Sequence, residues 1–204
     1  MFRPKKLWIL CASIMLAGPV LSQAGVRTSD LAPDFSLLDT DGQVLALSDF
    51  KGKYVVLEWC NHECPFVKKH YNSANIPGLQ KKYTQLGVVW LTIASSAKGK
   101  QGYFDASTWN DLTRAKGASP TAVLLDSSGQ VGRLYGAKTT PHMFIIDPEG
   151  RLIYQGSIDS IASADDSDIE KADNYVGKAL DEALSGQAVS ISTTKSYGCS
   201  VKYE

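Results

Sequence analysis

Three apolar runs rich in β-branched and aromatic residues, 54–59, 88–93 and 121–125, are separated by stretches that carry helix start and stop signals. Runs of this kind read as strands buried on both faces, and strands that alternate with helices form a parallel α/β core. Pro65 suits the first turn of a helix; the spacing predicts helix over 65–71, a pause over 72–78, and helix again over 79–83 before Gly87 stops it. Ser107 is the expected cap of a helix over 108–116, with Gly117 at its end.

Two hairpins flank this core. Residues 35–38 and 44–47 surround Asp39-Thr40-Asp41-Gly42, and residues 143–146 and 151–154 surround Asp147-Pro148-Glu149-Gly150, both turn sequences between antiparallel neighbours. A closing helix is expected over 172–184, ending at Gly186. The expected fold class is therefore α/β: a mixed central sheet flanked by helices, with an N-terminal β-hairpin. No repeat or internal boundary divides it, so residues 25–204 are expected as a single domain with a tail over 187–204.

The first 24 residues are different material. Arg3, Lys5 and Lys6 precede an uncharged apolar run over 7–21, followed by Ser22-Gln23-Ala24. This pattern is that of a secretory signal peptide cleaved after Ala24. The run is interrupted by Gly18 and Pro19 and falls short of the roughly 20 apolar residues that span hydrocarbon. Cys11 would leave with the peptide, and the mature chain would carry Cys60, Cys64 and Cys199 in a periplasmic or secreted setting where disulfides form and persist. The whole chain has 21 basic and 21 acidic residues, interleaved along its length. There is no basic face for nucleic acid, and no membrane contact is expected once the peptide is removed.

Acidic residues at Asp165, Asp166, Asp168 and Glu170 lack the glycine and terminal glutamate of an EF-hand. They read as a solvated helix entry, and no metal site or cofactor is expected.

The chemistry-bearing stretch is Glu58-Trp59-Cys60-Asn61-His62-Glu63-Cys64-Pro65. Cys64 stands where a strand passes into a helix, where unpaired N–H groups and the positive end of the helix dipole favour thiolate over thiol. Thiolate is the nucleophile in disulfide exchange and in peroxide reduction.

Here residues 30–156 resemble the thioredoxin-like superfamily, in its redoxin branch of alkyl hydroperoxide reductases and thiol-specific antioxidant (AhpC/TSA) proteins. Cys64 lies seven residues after Leu57, the spacing of the family's attacking cysteine, whereas Cys60 comes too early. The second cysteine of a Cys-x-x-Cys motif would fall at Val67, so the resolving thiol must come from elsewhere. The resemblance further implies that Glu58 is the family's buried carboxylate and that Thr140-Pro141 is its cis-proline loop. Cys60 and Cys199 both remain candidates to resolve Cys64. The aromatic ending around Tyr197-Gly198-Cys199 reads as docked chain and resembles a group of bacterial secreted redoxin-domain proteins, which favours Cys199.

The implied function is an exported thiol-disulfide oxidoreductase of antioxidant type, with Cys64 as nucleophile, Cys199 or Cys60 as resolving thiol, Glu58 handling protons and Pro141 shaping the substrate strand. Its partners would be a protein thiol or disulfide, or a peroxide, together with an external thiol reductant. A thiol peroxidase is the alternative, although the peroxiredoxin Pro and Thr positions hold Leu57 and Asn61 and the arginine position holds Pro141. A Sco-like copper site using Cys60, His62, Cys64 and His142 is a third reading, and a non-catalytic binding module a fourth. His62 and His70 are otherwise expected as solvated polar residues around the site.

Overall fold

The computed structural model describes residues 25–204. The expected signal peptide, including Cys11, lies outside the described residues. The mixed sheet runs in the order β2-β1-β5-β4-β3-β7-β8, with β1 Ser36–Asp39, β2 Val44–Ala46, β3 Val55–Trp59, β4 Val89–Ala94, β5 Ala122–Leu125, β7 His142–Ile146 and β8 Leu152–Gly156. The strands β3, β4 and β5 are parallel, and both hairpins are antiparallel. A second, two-stranded ribbon joins β6 Thr139–Thr140 to β9 Cys199–Ser200. The α/β expectation therefore holds, opening hairpin included, and the fold is thioredoxin-like. Among the described residues no helix is long and apolar enough to cross a membrane.

Five helices accompany the sheet: α1 Pro65–Asn72, α2 Asn75–Gln85, α3 Ala106–Ala115, α4 Gln130–Tyr135 and α5 Tyr175–Leu184. Alternation along β3 sends Val55, Leu57 and Trp59 into one core, with Phe35, Val131 and Tyr135. Val56 points the other way, among Trp90 of β4 and Tyr71, Tyr83, Trp109 and Leu180 from the helices of the opposite face. Glu58, two residues on from Val56, shares that second face, which is why a carboxylate ends up wholly inside the protein.

Several local expectations are corrected. The pause between α1 and α2 is only residues 73–74, with Ala74 in the left-handed region at φ 58°. Pro77 does not delay α2, because it lies in the first turn, where a backbone N–H has no intrahelical acceptor. The cap of α3 is Asp105, whose carboxylate accepts from Thr108 N at 2.8 Å, and not Ser107. Residues 166–171 form a short 3-10 turn, and α5 begins only after Asn174, which accepts from Gly177 N at 2.8 Å. The helix α4 had no counterpart among the sequence expectations.

Candidate active site

Cys64 is the N-cap residue of α1, with Pro65 in the first helical turn, so the chain leaves β3 and delivers the sulfur to the start of a helix. The sulfur is fully buried, and as a thiol it donates to the Thr140 carbonyl at 3.1 Å. The Thr140–Pro141 bond is cis, as the resemblance implied. In the ribbon, Thr140 pairs with Cys199, so the half-buried Cys199 is carried to the same point from the far end of the chain.

The two sulfurs titrate unequally. Burial works against a Cys64 thiolate, but the Cys199 thiol and the backbone N–H groups of Val67 and Cys199 outweigh it, and Cys64 falls below the ordinary thiol range. The Thr140 hydroxyl adds to this. It is buried with no hydrogen-bond partner while Cys64 is neutral, and is thus available to a thiolate that can no longer donate to the carbonyl. Cys199 moves the opposite way, up to about 11, through burial and the adjacent Cys64 sulfur, with Lys202 opposing. Of the pair, Cys64 ionises first and Cys199 keeps its proton.

Cys60 is also buried, but differently surrounded. Its thiol donates to the Tyr71 hydroxyl at 3.8 Å, and that hydroxyl donates to Glu58 Oε1 at 2.7 Å. Burial and the nearby Glu58 push the Cys60 thiol well up. Cys60, Cys64 and Cys199 are free thiols.

Glu58 also accepts from Trp90 Nε1 at 2.7 Å, Gln80 Nε2 at 3.2 Å and Thr92 Oγ1 at 3.3 Å. Burial raises its pKa, and these four donors only partly offset the rise. None of these bonds goes to Cys64; the carboxylate is linked instead to Cys60 through Tyr71. Glu58→Ala strands four buried donors, so it is expected to destabilise the reduced protein by about 3–5 kcal/mol. Glu58→Gln, which keeps an acceptor oxygen and the shape, should cost about 1–2 kcal/mol. Urea unfolding under reducing conditions checks both, and a Glu58→Ala chain as stable as the native one would deny the carboxylate this organising role.

The histidine expectations are corrected. His62 is 7% exposed and lies between the Tyr71 and Trp109 rings, with centroids 4.6 and 4.9 Å away. His70 is fully buried, within a group of polar residues that the sequence reading missed. There Lys69 Nζ lies 3.4 Å from Asp159 Oδ2, and the Tyr197 hydroxyl binds both His70 Nε2, at 3.1 Å, and Asp159 Oδ1. Tyr71 and Tyr197 could have been flagged, the first from its position two helical turns beyond Cys64, the second from the aromatic tail; nothing in sequence singles out Asp159. His142 packs on Phe144 and accepts from Lys138 N at 3.3 Å, away from both Cys60 and Cys64. Among the described residues no three His, Cys, Asp or Glu side chains converge as a metal site.

The chain is similar to known proteins. The chain is 26% identical over 165 residues to the thiol-disulfide oxidoreductase ResA of Bacillus thuringiensis subsp. konkukian, spanning 76% of this chain and 86% of that protein. It is 29% identical over 136 residues to the thioredoxin-like protein YneN of Bacillus subtilis, 63% of this chain and 70% of that one. A crystal structure of an uncharacterized conserved protein from Geobacillus kaustophilus superposes with a TM-score of 0.74 at 26% identity, over 87% of this chain and 93% of the other. With residues 28–155 matching the family model, and the Cys64 sulfur lying against the cis Thr140–Pro141 step within that span, the chain belongs to the AhpC/TSA family.

Proposed function

We propose that this protein is an exported thiol-disulfide oxidoreductase in which Cys64 is the nucleophile and Cys199 the resolving thiol. The observation that carries the reading is the unequal pair: a Cys64 sulfur held below the ordinary thiol range, in contact with a Cys199 thiol that retains its proton. The Cys64 thiolate attacks a substrate disulfide and expels one sulfur as thiolate. Cys199 then gives up its proton, attacks the Cys64 sulfur and releases the second. An external thiol reductant reopens the internal disulfide. Pro141, next to the Cys64–Thr140 contact, shapes the path of the strand beside the sulfur. Cys60 is the poorer resolving candidate, since its thiol is aimed at Tyr71 and resists ionisation.

Glu58 is a buried proton store reached through Tyr71 and Cys60. Export rests on the charged and apolar pattern of residues 1–24, and residues 25–204 are read as one unit whose tail, 187–204, supplies the second thiol. The relatives named thiol-disulfide oxidoreductase support protein thiols or disulfides as substrates. Peroxide reduction fits less well: the Asn61 side chain, at the peroxiredoxin threonine position, is taken up by Glu63 N and the Gln101 carbonyl.

Alkylation of the reduced chain against pH, read by peptide mass spectrometry, tests the assignment. Cys64 should titrate below the free-thiol value of about 8.5 and react before Cys199 and Cys60, and mild oxidation should join Cys64 to Cys199. A Cys64 that titrates at or above that value and never pairs would remove the redox reading.

A further inference from the structure

The tail that carries Cys199 is fastened on both sides of the thiol. Downstream, Ala97 N donates to the Lys202 carbonyl at 2.8 Å, and the Tyr203 hydroxyl donates to the Ala137 carbonyl at 2.8 Å. Upstream, Thr194 N donates to the Gln155 carbonyl at 3.0 Å, and between that point and Cys199 the fastening is a single side chain. Tyr197 enters a buried polar pocket, its ring 5.8 Å from that of Phe66, and its hydroxyl meets His70 and Asp159. The chain of hydrogen bonds behind it has a fixed direction. Gly177 N donates to Asn174 Oδ1, Asn174 Nδ2 donates to Asn75 Oδ1 at 3.1 Å, and Asn75 Nδ2 donates to His70 Nδ1 at 2.8 Å. His70 Nδ1 is therefore an acceptor, leaving Nε2–H to donate to the Tyr197 oxygen while the Tyr197 hydroxyl donates to Asp159 Oδ1. Asp159 is itself held by Lys69 Nζ and by Ile161 N. Every member of this relay is oriented by the one before it, and its far end is a tyrosine two residues from Cys199.

Between Tyr197 and Cys199 stands Gly198, at φ 129°, where an added Cβ would lie 2.2 Å from the Thr140 carbonyl oxygen. The tail backbone thus presses against the acceptor of the Cys64 thiol, which only glycine allows.

We propose that Tyr197 is a positioning residue for the resolving step: its bonds to His70 and Asp159 hold Cys199 on Cys64, so that closure of the internal disulfide is fast because the second thiol is already in place. This rests on the thiol-disulfide reading above. Loss of the anchor leaves the tail tied at Thr194 and beyond Cys199 but lets the thiol between them shift away from Cys64, which lowers its effective concentration there and affects the first attack, made by Cys64 itself, far less.

The full chain, reduced and then mixed with oxidised glutathione, separates the two steps. In the first, the Cys64 thiolate attacks one glutathione sulfur, the glutathione S–S bond breaks, and one glutathione leaves as thiolate. In the second, Cys199 loses its proton to solvent and attacks the Cys64 sulfur, and the second glutathione leaves. One oxidised glutathione is reduced to two thiols as the protein gains one disulfide. Quenched samples read by intact mass follow the mixed disulfide at Cys64. Tyr197→Phe keeps the ring against Phe66 and removes only the hydroxyl. It is expected to slow the second step about tenfold or more, so that the mixed disulfide accumulates, with the first step changed far less. Gly198→Ala is the contrasting variant: its Cβ meets the Thr140 carbonyl that accepts from Cys64, so it should slow both steps. Closure as fast as native in Tyr197→Phe, or both steps slowed alike in it as they are in Gly198→Ala, overturns the proposal. If no mixed disulfide forms at Cys64 even in the native chain or in Cys199→Ser, the oxidoreductase reading fails and the positioning role with it.

Discussion

A Cys64→Ser chain is expected to lose disulfide reduction by on the order of a thousandfold or more, because a serine hydroxyl does not ionise in the working pH range and cannot form a mixed disulfide. The loss should come without unfolding. The replacement hydroxyl can still donate to the Thr140 carbonyl that accepts from the thiol, and the buried volume changes little. The other two cysteines separate the roles. Cys199→Ser should keep the first attack and stop there, trapping substrate on Cys64, since the remaining thiol, Cys60, faces Tyr71 and burial keeps it protonated. Cys60→Ser should turn over close to the native rate, since a serine hydroxyl can still donate to Tyr71 and keep the path to Glu58. Steady-state reduction of a protein disulfide, with trapped species identified by mass, reads all three variants. Turnover that survives Cys64→Ser and disappears in Cys60→Ser would move the nucleophile four residues upstream.

The legible parts of this protein are those with a local cause. A strand that ends on cysteine and proline announces the Cys64 junction, because the strand run and the N1 proline are both short-range signals. The hairpin turns and the Thr140-Pro141 step are equally local. The helix α4 escaped notice because six residues between Gly129 and Gly136 look like a turn; the buried Asp126 carboxylate, which accepts from Val131 N and Gly132 N, secures its start. His70 reads as a solvated polar residue, yet it and Lys69 are buried because Asp159, ninety residues beyond Lys69 in sequence, supplies a partner. That pairing depends on tertiary placement, and nothing in a window around either residue encodes it. Tyr197 falls between the two cases: its aromatic character signals a docked tail, and only the fold shows what it docks against.

Acid should weaken the fold well before the carboxylates at the surface are protonated. Burial pushes His62, His70 and His142 down to about 4, with Lys116 adding to the effect at His62 and Lys138 at His142, while at His70 Asp159 opposes it and Lys69 adds to it. In the unfolded chain each would titrate near 6.5. A depressed histidine pKa means that the unfolded state binds the proton first, so stability is full above about pH 6.5 and is lost as pH falls toward 4. Each histidine is worth about 2 kcal/mol between pH 7 and pH 5, and the three together about 6 kcal/mol, a large share of the stability of an ordinary domain. Glu58 opposes them over part of the range: its raised pKa makes the folded state take up its proton before the unfolded state does, so this one group favours folding as pH falls toward 4.5. Three protons against one leaves a net loss. Urea midpoints under reducing conditions should therefore fall steeply between pH 6.5 and pH 4.5. His142→Asn, which retains an acceptor for Lys138 N, should flatten the slope by about 1.4 kcal/mol per pH unit, one proton's worth. A midpoint that stays level from pH 7 to pH 5 would mean that the histidines take up protons in the folded state, and that their aromatic and polar surroundings open to water more readily than the packing around Trp109, Tyr197 and Phe144 implies.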